Sequence, residues 1–406
     1  MKVIFISSCY AKGTESLIRS KCRGKVGVQN APNAFQWSVI KGLYDNGADF
    51  EVVSFPLLPI FPARYKSVIS PSAEIEYNGS KVGRMYSYCT VIGLKPLSIR
   101  LRLKNEVKRL LKQNPNEKIV LLLYSTNSFF TKAVTPLTKQ YPNVEIAAII
   151  TDLIDDAFNY KSNNTFLKRI QINKEIRVQK AYYKYIKKFI LLTKAMEERI
   201  PEAVGKNIVV EGICDRKLDN TIPLKNETEV KTILYTGTLQ KYVGINDFVD
   251  AFTQTRNPNY RLIICGAGPS EDYICEKTSK DHRIIYKGVI PREEALKLQQ
   301  EATIVVNPRK PIEEITKYSF PSKTIEYLAS GTPMIGYRLE GIPHDYYQYI
   351  YSPEDLTESS MVNLIDSVLN KDKRELEEKA QSAKLFIANE KSAKVQVAKI
   401  LDFLNR

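Results

Sequence analysis

Lys323 and Glu326 are the two residues whose types and spacing most directly suggest chemistry. They lie three residues apart, so a helix would place them on one face. Pro321 before them and Gly331 after them predict such a helix, of about ten residues. A Lys beside a helix N-terminus attracts phosphate, and a carboxylate one turn later can accept hydrogen bonds from a ribose diol. The alternative is an ordinary surface ion pair, and the rest of the chain must decide between the two.

Length and composition indicate a globular protein with two domains. The chain has 406 residues, of which 43% are hydrophobic and 26% are charged. No apolar run approaches the roughly 18 residues that a membrane span needs, and residues 1–7 are typical of a buried first strand, not of a signal peptide. We therefore expect a cytoplasmic protein. The net charge of +15 predicts a polyanionic partner, such as nucleic acid, a phosphorylated small molecule or an anionic membrane.

Cysteine and histidine usage argues against a metal site. The six cysteines include no Cys-x-x-Cys pair, which argues against a zinc site or a disulfide framework and favours reduced thiols. There are only two histidines, so neither a His-based metal site nor a Ser-His nucleophile relay is expected.

Strands and helices alternate along the second half of the chain. Strands are predicted at 231–235, 260–265, 283–286, 303–306 and 334–337. Helices are predicted at 244–254, 270–279 and 291–301, followed by the Lys323 helix and further helices at 357–370 and 373–404. This repeat at a spacing of about 25 residues predicts a parallel, doubly wound α/β sheet.

A similar alternation runs through residues 1–214, which we predict to form an N-terminal Rossmann-like domain. Residues 215–230 are polar and aperiodic, as in a linker. The second Rossmann-like domain then covers 231–372, and we expect the helix in 373–406 to cross back to the first domain.

Two acidic residues, Asp152 and Asp155, follow the apolar strand predicted at 144–150. Open α/β sheets place their binding sites at the carboxyl ends of strands, so these carboxylates are candidates for a substrate contact. The alternative is that one of them caps the next helix, a role that Asp often takes.

Basic and apolar stretches concentrate in the first half. A flexible loop at 23–27 carries Lys25 between two glycines, and an apolar loop covers 57–72. A helix at 98–113 sets six apolar residues (Ile99, Leu101, Leu103, Val107, Leu110, Leu111) against six basic ones (Arg100, Arg102, Lys104, Lys108, Arg109, Lys112). A second basic helix lies within 161–188. Such helices suit anionic headgroups or other polyanions, although a solvated face of a core-packed helix is equally compatible.

Five short motifs follow one another in the second half at characteristic spacings. They are Tyr235-Thr236-Gly237-Thr238-Leu239, Cys265-Gly266-Ala267-Gly268-Pro269, Tyr286-Lys287-Gly288-Val289, Val305-Val306-Asn307-Pro308-Arg309, and Phe320 to Lys323 continuing through Glu326 to Pro333. Over about 150 residues this series resembles the donor-binding domain of GT-B fold glycosyltransferases, specifically the retaining family 4. The resemblance implies two Rossmann-like domains that face a central cleft, with loops from both lining one site.

The resemblance also assigns roles to residues. Arg309, Lys323 and Lys241 would together stabilise the negative charge on a departing diphosphate. This stabilisation is the main catalytic contribution when no metal is present. Glu326 would hold the ribose hydroxyls, and the backbone near Val289 would contact the base. The remaining donor-side positions are Gly237, Thr238, Gly266, Gly268, Tyr318 and Ser322. The N-terminal domain, 1–214, would bind the acceptor, and Asp152 would act on that side, with Asp155 and Lys25 as further candidates there.

The chain departs from that family at the sugar end of the site. Family members have two glutamates separated by seven residues; Glu326 matches the second, but Tyr318 occupies the first position. Thr238 and Val243 stand where the family has Arg and Lys, which leaves Lys241 as the cation of that loop.

The resemblance predicts transfer of a sugar from a nucleotide-sugar, a UDP-sugar above all, with retention of configuration. It implies no metal and no cofactor, since the nucleotide-sugar is a substrate. The acceptor would be a lipid-diphosphate-linked sugar or glycan at the inner face of the cell membrane, in capsule, O-antigen or other surface polysaccharide assembly. Two alternatives are a nucleotide-sugar epimerase or hydrolase of the same fold and a nucleic-acid-binding protein. The sequence contains no helix-turn-helix, RNP or zinc pattern that would favour the latter.

Overall fold

The computed structural model describes residues 1–23, 30–153, 166–214, 229–311 and 314–406. The chain divides into two compact units. The first comprises Met1–Asp215 together with Ala393–Arg406, and the second comprises Arg216–Ser392.

The first unit is built on an eight-stranded sheet in the order β3-β4-β2-β1-β5-β6-β7-β8. Its strands are β1 (Lys2–Ser7), β2 (Asp49–Ser54), β3 (Ala73–Tyr77), β4 (Ser80–Met85), β5 (Ile119–Tyr124), β6 (Val144–Ile150), β7 (Lys188–Leu191) and β8 (Asn207–Val209). All pairings are parallel except that of β3 with β4. These two strands form a hairpin that the sequence pattern did not predict, and Asn78 and Gly79 make its turn with φ of 49° and 75°.

Helices cover the faces of this sheet. They are α1 (Glu15–Lys21), α2 (Asn30–Asp45), α3 (Leu94–Gln113), α4 (Ser128–Gln140), α5 (Phe166–Tyr183) and α13 (Ala393–Asn405). The last of these packs closely on α2, because a Cβ atom at Gly42 would lie 2.3 Å from Val397 Cγ2. Ala393, Val397, Ile400 and Leu404 belong to the buried core around β1 and β5. The C-terminal segment thus completes the core of the unit that the N-terminus begins.

The second unit is built on a parallel six-stranded sheet in the order β11-β10-β9-β12-β13-β14. Its strands are β9 (Lys231–Thr236), β10 (Tyr260–Cys265), β11 (Ile284–Gly288), β12 (Ile304–Asn307), β13 (Met334–Gly336) and β14 (Ile350–Tyr351). Its helices are α6 (Ile245–Gln254), α7 (Glu271–Lys280), α8 (Arg292–Glu301), α9 (Ile315–Tyr318), α10 (Ser322–Leu328), α11 (Glu358–Leu369) and α12 (Lys373–Glu390). The strand order reverses between β9 and β12, which is where doubly wound sheets bind ligands.

Three predicted helices differ from the structure. The helix expected over 373–404 is two helices, α12 and α13, separated at Lys391 and Ser392. The Lys323 helix, α10, has seven residues, and Pro321 lies at its N-cap, not inside its first turn. The helix expected over 98–113 begins earlier, at Leu94, and Leu101 is exposed although the pattern placed it on the apolar face.

Candidate functional site

The loops that follow β9 and β12 meet at the point where the strand order reverses. Gly244, which precedes α6, has φ of +82°, and a Cβ atom there would lie 2.4 Å from the carbonyl oxygen of Pro308. Glycine is therefore required for this contact, since a side chain would displace the backbone of the second loop. The two loops form one surface at the carboxyl end of the sheet.

Gly266 and Gly268 bring a third loop, the one after β10, against the loop after β9. Gly266 has φ of +143°, and a Cβ atom there would lie 1.7 Å from the Gly237 carbonyl oxygen. A Cβ atom at Gly268 would lie 2.5 Å from the Leu239 carbonyl oxygen. In return, the Gly237 amide donates to the Cys265 carbonyl at 2.9 Å. These glycines, predicted as donor-binding residues, are thus needed to pack the loops of the site together.

Lys323 and Glu326 form an ion pair on α10. The Lys323 ammonium nitrogen lies 2.7 Å from Glu326 Oε1, and the carboxylate side chain is only 25% exposed. Burial alone would raise the pKa of Glu326, but the charge and the hydrogen bond of Lys323, with a hydrogen bond from Gln299, lower it overall. Glu326 is therefore ionised at neutral pH and can accept hydrogen bonds. The two residues pair with each other, as any surface pair would, but they do so in a half-buried position at the edge of the site.

Gln299 on α8 donates a hydrogen bond to Glu326. The sequence did not predict Gln299 as a residue of the site. Its side chain is completely buried, and its amide nitrogen donates to Glu326 Oε1 at 2.6 Å and to Thr236 Oγ1 at 3.0 Å. An ionised carboxylate only accepts hydrogen bonds, so the amide nitrogen of Gln299 must face it. The Tyr327 hydroxyl lies against Thr236 as well, accepting from its amide at 2.9 Å. A buried polar network thus connects the carboxylate to the end of β9.

The other predicted cations occupy different settings. Lys241 is exposed in a short 3-10 turn, and Arg309 is half-buried directly after β12. Next to it, Lys310 forms an ion pair of 2.8 Å with Asp247. Arg309 therefore lies at the same strand-order reversal as Thr236, whereas Lys241 lies on the surface of the loop after β9.

Four further donor-side predictions are placed as follows. Thr238 and Ser322 are exposed, and so is Val289, whose side chain is 76% accessible just after β11. Tyr318 is buried on α9, and its hydroxyl donates to Glu314 Oε1 at 3.2 Å. A carboxylate thus does lie beside Tyr318, although it comes from four residues earlier in the chain.

In the first unit, Asp152 follows β6 as predicted. Surrounding protein atoms reduce its hydration and raise its pKa, partly offset by the Thr151 hydroxyl, which donates to it at 3.2 Å, while its side chain still reaches solvent. At the end of the neighbouring strand β5, Ser125 adopts a φ of +70°, a conformation that is uncommon for a side-chain-bearing residue and often marks functional loops. Asp155 and Lys25 lie outside the described residues.

Comparison with known proteins agrees with this architecture. The family model described as "Glycosyl transferases group 1" matches residues 230–371. That segment holds Gln299, Arg309, Lys323 and Glu326. No curated protein matches the sequence.

Solved structures match the chain over its whole length at low identity. Sucrose-phosphate synthase from Thermosynechococcus elongatus is 15% identical with a TM-score of 0.65, and the match covers 100% of this chain and 98% of that one. A mutant of TarM from S. aureus, in complex with Fondaparinux, alpha-GlcNAc-glycerol and UDP, is 13% identical with a TM-score of 0.62 and full coverage of both chains. WaaG, a glycosyltransferase involved in lipopolysaccharide biosynthesis, is 13% identical with a TM-score of 0.59 and 98% coverage of each. The chain has the GT-B fold.

The fold prediction is thereby confirmed, and the family-model match supports the glycosyltransferase class for the second half. Within the part of the chain that the structure describes, no helix is both long and apolar enough to cross a membrane.

Proposed function

We propose that this protein transfers a sugar from a nucleotide-sugar donor, most simply a UDP-sugar, to a glycan or lipid-linked acceptor. The observation that carries the proposal is the half-buried Lys323–Glu326 pair, held by Gln299 beside the end of β9 within the matched segment. It supplies a cation for phosphate and a fixed carboxylate for a ribose diol at one position.

Catalysis then depends on stabilising the negative charge of the leaving group. When the anomeric C–O bond breaks, negative charge grows on the leaving diphosphate, and cations already in place stabilise that charge. Lys323 and Arg309 supply two of these cations. The third is Lys241, whose side chain is exposed. The ionised Glu326 accepts hydrogen bonds from the ribose. UDP in the TarM complex supports a nucleoside diphosphate as the bound group.

The acceptor would bind at the first unit, where Asp152 is the candidate for contact with its hydroxyl group. We further propose that the reaction retains the anomeric configuration and needs no metal, and that the protein belongs to family 4. A role in bacterial surface polysaccharide assembly is supported by the likeness to WaaG, which serves lipopolysaccharide biosynthesis. With a lipid-diphosphate-linked acceptor, the protein would work in the cytoplasm at the inner face of the membrane, bound to its anionic surface.

The test is titration calorimetry with UDP, together with UDP release from a panel of UDP-sugars. Lys323→Ala and Glu326→Ala should each weaken UDP binding about tenfold or more, because each removes a charged hydrogen-bonding group worth about 1.5–3 kcal/mol. Lys280→Ala and Glu276→Ala are matched controls, since these residues form an exposed ion pair on α7 of the same unit. The site assignment fails if all four variants bind UDP like the wild type.

A further inference from the structure

Helix α3 of the first unit has an apolar stripe on its outer face. Leu94, Leu97 and Leu101 are 53%, 50% and 53% exposed, and their spacing of three and four residues places them on one side of the helix. The opposite side carries the buried residues that pack on the sheet: Ile99, Leu103, Val107, Leu110 and Leu111. Thus α3 is anchored by one apolar face and presents a second one to solvent, which an ordinary surface helix does not do.

Three more exposed apolar residues, Val68, Ile69 and Ile92, lie on segments that are hydrogen-bonded to each other and to α3. Ile69 pairs with Cys89, whose amide donates to Ser98 Oγ on α3 at 3.1 Å. The Thr90 amide donates to the Val68 carbonyl at 2.8 Å. Ile92 is 71% exposed and stands just before the helix. The stripe and these residues form one apolar patch, which is more than the singly scattered apolar residues of a normal surface.

The charge around this patch is positive. Helix α3 carries seven basic residues and a single acidic one, Glu106. Arg100, Lys104 and Lys108 follow Leu97 or Leu101 at spacings of three or seven residues, and within the described part of the chain they form no ion pair. Their charges are therefore available to an anionic partner, whereas Arg102 and Arg109 are bound to Ser87 and Glu106.

We propose that this patch docks the protein on an anionic lipid bilayer. Exposed leucines can enter the headgroup and acyl boundary while flanking cations bind lipid phosphates. A second copy of the chain fits less well, because a two-fold contact would bring the same cations against each other. This docking surface rests on the proposed function and deepens it, because a lipid-linked acceptor is presented at such a surface. The contact is made by α3 and not by the second basic helix, α5.

Vesicle co-sedimentation tests the proposal with the full chain. The wild type should bind vesicles of phosphatidylglycerol and phosphatidylcholine but not vesicles of phosphatidylcholine alone, and added salt should weaken the binding. Leu97→Gln/Leu101→Gln and Arg100→Gln/Lys104→Gln/Lys108→Gln should each lower the affinity at least tenfold. The matched controls Leu356→Gln/Leu385→Gln and Lys280→Gln/Lys287→Gln/Lys297→Gln alter exposed residues of the second unit and should bind as the wild type does.

Equal binding by the α3 variants and the wild type would overturn the proposal. So would sedimentation velocity showing a dimer that Leu97→Gln/Leu101→Gln dissociates, without binding of the wild type to vesicles. Circular dichroism checks that the same variants are folded. UDP titration distinguishes a failure of the docking surface from a failure of the proposed function. Lost vesicle binding with normal UDP binding supports the docking surface, while absent UDP binding by the wild type contradicts the proposed function alone.

Discussion

At the scale of single residues, the state of Glu326 is set by its neighbours. A half-buried carboxylate would tend to take up a proton, yet Lys323 and Gln299 both stabilise its charged form. Gln299 also reaches Thr236, so the carboxylate is fixed relative to the end of β9. A fixed acceptor loses less conformational entropy when a ligand binds than a flexible surface side chain does.

Gln299 is therefore expected to act as a positioning residue for Glu326. Gln299→Leu should reduce UDP affinity about three- to tenfold, because Glu326 loses a hydrogen bond and its orientation. Removal of that donor also raises the pKa of Glu326, so the loss of UDP binding at low pH should begin at a higher pH than in the wild type. Titration calorimetry between pH 4 and 8 measures both effects.

The matched control is Gln300→Leu, the same change one position along α8, where the side chain is only half-buried. It should leave both the affinity and its pH profile unchanged. If Gln299→Leu lowers the melting temperature without moving the pH profile, Gln299 has only a structural role.

At the scale of elements, the site depends on loops packed at backbone distance. The loops after β9, β10 and β12 approach one another at Gly244, Gly266 and Gly268, where a Cβ atom would meet a carbonyl oxygen. Such contacts place backbone and side-chain groups of three loops at one edge of the sheet. The close packing of these loops therefore requires glycine at these three positions.

Gly266→Ala should destabilise the second unit by about 3 kcal/mol. Its positive φ costs roughly 1–2 kcal/mol with a side chain present, and the clash with the Gly237 carbonyl adds roughly 1–3 kcal/mol. Gly288→Ala serves as the control, since Gly288 also has a positive φ of +64° but no atom within 4 Å of its Cβ position. Thermal unfolding should show a clearly larger loss for Gly266→Ala, and equal losses would contradict the packing role.

At the scale of the whole molecule, the chain ends in the unit where it began. Helix α12 belongs to the second unit and α13 to the first. The Leu404 carbonyl accepts hydrogen bonds from Lys118 at 3.2 Å and Lys188 at 2.8 Å, in addition to the apolar contacts of α13. The first unit is therefore complete only with the last residues of the chain.

Removal of Ala393–Arg406 should consequently unfold or loosen the first unit and spare the second. Val397, Ile400 and Leu404 are fully buried. Their loss removes about 5–9 kcal/mol of stabilisation from hydrophobic burial, which is comparable with the whole free energy of unfolding of a domain. Limited trypsin digestion should then cleave within residues 1–214 while UDP still raises the melting temperature of the second unit. Removal of Asn405 and Arg406 alone, both exposed, should change neither result. A truncated chain as protease-resistant as the full one would refute this expectation.

Much of the second unit could be predicted from its sequence. The alternating pattern predicted strands 231–235 and 260–265 and the helix at 244–254 to within one or two residues, because a strand or helix buried on one side leaves its period in the sequence. The β3–β4 hairpin was missed, although Asn78-Gly79 was the signal that could have identified it. Helix α10 was predicted too long, since residues 329–332, which follow it, form a buried turn.

The sequence by itself determined the two α/β units, the order of their motifs and the candidates Lys323 and Glu326. These depend on local spacing and on residue types along the chain. Only the tertiary structure decided that Gln299 supports Glu326 and that Leu94, Leu97 and Leu101 remain exposed. The reason is physical: a hydrogen bond between α8 and α10, or the exposure of the leucines on one face of α3, depends on how distant segments approach one another. An apolar period shows that a face exists, but only packing decides what covers it.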